Sequence, residues 1–366
     1  RDIITGVVRD HPDFGAAHRI LAQALERLGE AEASRRHFDE ASSCSPFCPP
    51  PDSEIDKLLG ISASSDFLLR HLGIAMKSKD HQWAEYLARR AIEVAPDDLD
   101  AIFQIGRLLF DLGRWEEALP FLERYCKISP DAELVVKVRN NAGVCLLNLR
   151  RFEEARVRFL EALPDSPMPA TVHNNLALVA RELGDIPRAG EHLREALLAD
   201  PECVEAHVLA SQLFLRAGRL ADAERHALEA VRIRPATADA WLTLGNISTR
   251  NGDLEEAVRR LRAAVEQRPD FPEALTLLAW LLATCPRDDV RDGDEALRAA
   301  QRACALTGHA DLRALDALAA AHAEKGQFEQ AAAVASRGVE VATRQRLEQA
   351  VATFEARKTQ YASRNP

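Results

Sequence analysis

Apolar residues return every three or four positions along almost the whole chain, in runs divided by short polar breaks. Ile102, Ile105, Leu108, Leu109 and Leu112 form one run, a spacing that gathers them on one face of a helix. Gly113 follows, where a helix end favours a left-handed residue. A second run covers Trp115, Ala118, Leu119, Leu122 and Tyr125 until Pro130 stops it, since proline cannot continue a helix. Leu99 to Ala132 thus predicts helix, tight turn, helix, stop. The unit repeats: Pro96, Pro130, Pro167, Pro201, Pro235 and Pro269 lie 34, 37, 34, 34 and 34 residues apart, and Pro12 and Pro46 lie 34 apart. A fixed period in this range marks a solenoid of stacked helix pairs.

Small residues recur at matching places. The first helix of successive units carries Ala22, Gly106, Gly143, Ala177, Ser211, Gly245, Ala279 and Ala319 in one slot. The second helix carries Ser34, Ala118, Ala155, Ala189, Ala223, Ala257 and Ala331 in one slot, and Ala41, Ala91, Ala162, Ala196, Ala230, Ala264 and Ala303 in another. Such slots let two backbones approach while larger neighbours interlock. A turn glycine recurs at Gly29, Gly113, Gly184, Gly218, Gly252 and Gly326.

With these residues the chain resembles the tetratricopeptide repeat family, most closely at Trp241-Leu242-Thr243-Leu244-Gly245 followed by Gly252, Ala257, Ala264 and Pro269. The resemblance covers nearly the whole chain. It implies an all-α, helix-turn-helix solenoid wound as a right-handed superhelix, of about nine helix pairs with a capping helix. Units start near Gly15, Asp66, Leu99, Val136, Ala170, Val204, Ala238, Pro272 and Leu312. The unit from Asp66 reads as one residue short at its inner turn. The expected organisation is a partial N-terminal helix and first unit at 1–46, a Pro-rich insertion at 47–65, the main array at 66–342, and a capping helix and tail at 343–366.

Net charge is −10, which argues against nucleic acid, whose binding rests on basic patches. No apolar run is long enough to cross a membrane. The chain opens on Arg1, and Ile3, Ile4, Val7 and Val8 look like a second helix with no first helix to face, so a fragment of a longer protein is expected. None of the seven cysteines forms a Cys-x-x-Cys motif. Cys126, Cys145 and Cys304 fall at packing slots, where cysteine acts as a small hydrophobe. Cys44 and Cys48 lie beside the Pro49-Pro50-Pro51 run, where a metal or disulfide reading lacks companion ligands at zinc spacing. A reduced, cytoplasmic setting is favoured over a periplasmic one, and the excess of arginine over lysine points to a bacterial source.

Two irregularities interrupt the array. Pro46 to Ser65 reads as an extended segment with a short helix from Asp52 to Leu59, either a joint between the first unit and the rest or an insertion on one face. Pro286 to Glu295 is rich in aspartate, but Val290 and Ala299 stand where a calcium loop needs oxygen ligands, so it reads as a solvated turn. Beyond Ala342 the face of Leu347, Val351, Phe354 and Tyr361 reads as a helix covering the last open core face.

Catalytic motifs are missing: no glycine-rich phosphate loop, nucleophile elbow or His-Glu-x-x-His is found. The expectation is a protein without catalysis, cofactor or metal. His18, His173 and His207 take the slot of Trp241 and read as packing residues, while His37, His192 and His226 share a slot on the second helix and read as surface residues.

The resemblance implies that the first helix of each unit lines a concave groove. That frame assigns Phe103, Gln104, Arg107 and Phe110, then Asn140, Asn141, Val144 and Leu147, then Asn174, Asn175, Leu178 and Arg181. Val208, Gln212, Leu215 and Arg216 follow, then Leu242, Asn246 and Arg250, then Trp280. Gln104, Asn141 and Asn175 fall in one slot, and spaced amides can grip an extended peptide backbone. This is similar to the asparagine ladder of glycosyltransferase members of the family, although it breaks at Leu209, resumes only as Thr243 and fails at Leu277. The bland alternative is that these amides solvate the inner face. The apolar groove residues either dock a partner or pack against the next unit. Arg181, Arg216 and Arg250 either offer a basic edge or pair with Glu182, Glu205 and Asp239. The function expected is a scaffold that binds a protein or peptide segment. The alternative is the substrate-recognition domain of a larger enzyme, for example a glycosyltransferase-like protein.

Overall fold

The computed structural model describes residues 2–10, 15–43 and 65–364. Among them the regular elements are all α-helices. The proposed helix at Asp52–Leu59, Cys44, Cys48 and the triple proline lie outside the described residues. The chain divides into two compact units, residues 1–183 and 184–366, which are taken separately. The division falls at the inner turn of the repeat that starts near Ala170.

In the first unit, α1 (Asp2–Asp10) precedes four helix pairs: α2 (Gly15–Arg27) with α3 (Ala31–Ser43), α4 (Ser65–Lys77) with α5 (His81–Val94), α6 (Leu99–Asp111) with α7 (Trp115–Ile128), and α8 (Ala132–Asn148) with α9 (Phe152–Ala162). A last helix, α10 (Pro169–Glu182), closes this unit. The second unit opens on α11 (Ile186–Ala199). Four pairs follow: α12 (Val204–Arg216) with α13 (Leu220–Ile233), α14 (Ala238–Asn251) with α15 (Leu254–Gln267), α16 (Pro272–Thr284) with α17 (Gly293–Leu306), and α18 (Leu312–Glu324) with α19 (Phe328–Arg344). The final helix is α20 (Glu348–Ala362). Within each unit the two helices of every pair pack on one another.

Apart from the longer α16–α17 connection, the turns inside the pairs share one geometry. After α6, Gly113 takes φ 70°, its N–H donates to Phe110 O at 2.9 Å and Arg114 N–H donates to Leu109 O at 2.9 Å. Orphan carbonyls at the helix end are thereby satisfied. Two pairs lack the glycine and use Lys79 and Arg150, and Arg346 takes the same place between α19 and α20, each at φ 59°, at a cost of about 1–2 kcal/mol. The unit near Asp66 is thus not short: Ser78 to Asp80 is a turn of the same length as Leu112 to Arg114, with Lys79 where Gly113 stands. The 37-residue step from Pro130 to Pro167 also has a cause. Helix α8 runs to 17 residues where α6 has 13, started by Asp131, whose carboxylate accepts Leu134 N–H at 3.0 Å.

The small slots are where the paired helices meet. Ala118, Ala155, Ala189, Ala223, Ala257 and Ala331 are all 0% exposed. A carbon added at Gly143 would lie 2.6 Å from the Phe159 ring, and one at Gly245 would lie 2.7 Å from Leu261 Cγ. The partner's large side chain fills the place of the missing Cβ, so the slot sets the spacing of the pair.

The ends depart from the sequence expectation in two places. Ile4 is buried at 8% in the core that also holds Leu21 and Leu25, so α1 has a face to pack on. In α20, Phe354 and Tyr361 are buried at 4% and 6%, but Leu347 is 47% exposed because it precedes the helix. Arg357 of α20 lies over the Trp280 ring, 5.0 Å from its centroid, and pairs with Asp316 at 2.9 Å. The segment from Pro286 to Glu295 is more tied down than a solvated turn. Val290 is buried at 9%, Arg291 donates to Cys285 O at 2.9 Å, and Asp292 caps α17 through Glu295 N–H at 2.8 Å. No described helix is long and apolar enough to cross a membrane.

Gly143→Ala should destabilise the first unit by about 1–3 kcal/mol, the usual cost of overpacking. Gly73→Ala in α4 meets nothing within 4 Å and should stabilise by about 0.5–1 kcal/mol. Denaturant melts of the two variants check the sign of each. Burial pushes the Asp316 carboxyl up to about 6 from 3.8, against the pull of Arg357. The folded state then holds this proton more tightly than the unfolded chain, so wild-type stability from this group falls as pH rises from about 4 to about 6. Melting temperatures of wild type and Asp316→Asn across that window should show wild type losing ground; a constant difference would contradict the assignment.

Candidate functional site

In the first unit the groove residues assigned from sequence sit on α6, α8 and α10. Phe103 is half-buried, its ring 5.5 Å from Tyr125, and Phe110 meets Trp115 edge-on at 5.3 Å. Both rings therefore lean on their own helix pair and present only part of their surface. Val144, Leu147 and Leu178 are also half-buried. Arg107 is exposed and lies 3.9 Å from Asp111.

The amides divide into two kinds. Gln104 and Asn141 are half-buried, and their side chains make no hydrogen bond among the described residues. Asn175 is 8% exposed and donates from Nδ2 to Asn140 Oδ1 at 3.0 Å. That member of the expected ladder thus ties α10 to α8. Asn174 is 6% exposed, and its buried Oδ1 has no donor. A buried acceptor left without a partner costs about 1–3 kcal/mol.

In the second unit, α12 carries Val208, Gln212 and Leu215, all half-buried, and exposed Arg216. Helix α14 carries Leu242 and Asn246, whose Nδ2 donates to Leu242 O at 3.0 Å, which leaves that amide serving its own helix. Trp280 on α16 lies beneath Arg357, as described above, and is covered on that side. Of the three arginines, Arg181 pairs with Glu182 through Nη2 at 2.7 Å. Arg250 donates to Leu215 O at 2.9 Å, while Asp239 is taken by Arg268. Glu205 is taken by Arg234 at 2.8 Å, and Arg216 makes no ion pair among the described residues.

The histidines differ most from the sequence reading. His207 is 8% exposed; its Nε2–H donates to Pro201 O at 3.0 Å, as Trp241 Nε1–H donates to Pro235 O at 2.9 Å. The shared slot thus selects a ring N–H that reaches the proline carbonyl six residues back. This leaves the His207 Nδ1 lone pair for the Nδ1–H of His226, 3.0 Å away. His226 is half-buried and stacks on Phe214 at 5.5 Å, rather than lying on the surface. Burial, reinforced by the neighbouring His207, lowers its pKa to about 4. His37 likewise meets His18, with their Nδ1 atoms 3.0 Å apart. The signal was present in the sequence: both pairs are 19 residues apart, first helix to second.

A surface that sequence reading missed lies on α11, α12 and α13. It is an apolar cleft of about 780 Å³ lined by Leu193, Leu197, Leu198, Leu213 and Phe214, with Arg194 and Arg219 also on its walls. The cysteines stay with packing: burial pushes the Cys145 thiol up to about 12 and the Cys304 thiol up to about 11.

Profiles of the tetratricopeptide repeat match residues 2–47, 72–143, 174–238 and 238–281, together more than half of the chain. No curated protein sequence matches it. Among solved structures, yeast Tom70 superposes with a TM-score of 0.53 at 17% identity, over 98% of this chain and 84% of its own. PilW, a widely conserved type IV pilus biogenesis factor, gives 0.50 at 22% identity, over 58% of this chain and 98% of its own. The pilF protein of Pseudomonas aeruginosa gives 0.47 at 19% identity, over 57% and 94%. At these identities the likeness is one of fold. Period, helix pairs, small-residue slots and profile matches agree: the chain belongs to the tetratricopeptide repeat family, a family of protein-interaction scaffolds.

Proposed function

We propose that the face of the first unit formed by α6, α8 and α10 binds a segment of a protein partner, and that the chain acts by binding rather than by catalysis. The observation that carries this reading is the buried Asn174 Oδ1 without a donor, beside half-buried Phe103, Phe110, Val144, Leu147 and Leu178. An extended peptide supplies the two things this face lacks. Its backbone N–H would satisfy Asn174, its carbonyls would accept from Gln104 and Asn141, and its side chains would cover the apolar positions. The Asn140–Asn175 bond would hold α8 and α10 at a fixed separation while the partner docks. In the second unit, Leu215, Leu242 and Arg216 would offer a similar but less polar face.

Each neutral hydrogen bond contributes about 0.5–1.5 kcal/mol net. Asn141→Ala combined with Asn174→Ala should therefore weaken binding roughly five- to a hundredfold and leave the helical circular dichroism unchanged. The measurement is calorimetry with a partner first captured on the immobilised full chain, repeated with Leu147→Glu. If both variants bind within twofold of wild type while Leu197→Glu abolishes binding, the partner occupies the α11–α13 cleft and this reading fails.

A further inference from the structure

In the first helix pair, three metal-ligand side chains converge. His18 Nδ1 on α2 lies 3.0 Å from His37 Nδ1 on α3, and Glu40 Oε2, one turn beyond His37, lies 2.9 Å from each of those nitrogens. Among the described residues, this is the group of three such side chains whose donor atoms lie within 4.8 Å of one another. His18 is 4% exposed, whereas the Glu40 side chain is 44% exposed, so the triangle is anchored in the core and open on one side.

Protons alone satisfy this triangle poorly. An imidazole nitrogen carries either a hydrogen or a lone pair in the ring plane, never both. With hydrogens on both Nδ1 atoms, both bonds go to Glu40 and two N–H groups confront each other. With a hydrogen on one, the bare nitrogen of the other ring faces a carboxylate oxygen at 2.9 Å, lone pair against lone pair. A single divalent cation at ~2.0–2.2 Å from all three atoms would accept every lone pair at once. We propose that His18, His37 and Glu40 form a binding site for a divalent transition-metal ion, zinc by donor type, that clamps α2 to α3. Two imidazole nitrogens and one carboxylate suit zinc, and three protein ligands leave the fourth position to water on the open side.

The second unit supplies an internal control. His207, His226 and Glu229 repeat the spacing of His18, His37 and Glu40 residue for residue. There, however, Glu229 is held by Arg232 at 2.7 Å, and the histidines are left as a hydrogen-bonded pair. The presence of the carboxylate in the triangle separates the two places.

The test is equilibrium dialysis of the full chain against Zn²⁺ alone, with metal content measured for wild type and for three variants. His37→Gln and Glu40→Gln should each lose one equivalent of bound zinc, with affinity at that site falling tenfold or more, while His226→Gln keeps the wild-type content. Retention of wild-type zinc by both His37→Gln and Glu40→Gln overturns the site, as does loss of the same equivalent in His226→Gln. Should the variants fold poorly, Co²⁺ titration of the wild-type chain decides. A saturable visible d–d absorption of four-coordinate strength, displaced by Zn²⁺, supports the site, and its absence overturns it.

Discussion

The spacing between the two helices of each pair is the constraint on which the other features rest. It is set where a side chain is missing: Phe159 lies where a Gly143 Cβ would be, and Leu261 lies where a Gly245 Cβ would be. Dispersion acts over short range, so a gap of less than an ångström forfeits much of the contact energy. Holding the slot small thus aligns the larger residues on either side. The same spacing brings position 4 of a first helix within reach of a second helix, which is why His207 and His226 meet across a pair.

Once the pairs are held, the chemistry of the inner faces follows from what packing leaves over. On α6, α8 and α10, rings and aliphatic side chains are half used by their own pairs, which leaves edges rather than whole side chains to a partner. Polar groups in that setting carry more weight than their number. Asn175 is spent on Asn140, and Asn174 keeps a buried acceptor without a donor. An array that buries a polar atom in this way gives up some stability.

Much of this was legible in the chain. The period located the helices, the small slots located the contacts, and the turn glycines marked most of the inner turns. Lys79, Arg150 and Arg346 were not legible as turn residues, because nothing in their chemistry announces a positive φ; only the packing on either side imposes it. The histidine pairs are hidden from the 34-residue period, because their contact runs across the helix pair at a spacing of 19. Trp280 looks open in the repeat frame, but Arg357 covers it from a helix that has no place in that frame. Sequence proximity pairs Arg250 and Arg216 with Asp239 and Glu205, yet Arg268 and Arg234 reach those carboxylates from the neighbouring turn.

Hydroxyl-radical footprinting of the full chain, free and with a captured partner, bears most directly on the central claim that the first-helix face of residues 1–183 is the binding surface. The account predicts that oxidation of Phe103, Phe110, Leu147 and Leu178 falls on binding, while that of Phe38, Leu160 and Leu198 holds steady. Protection of Leu198 and Phe214 with Phe110 and Leu147 unchanged would contradict it.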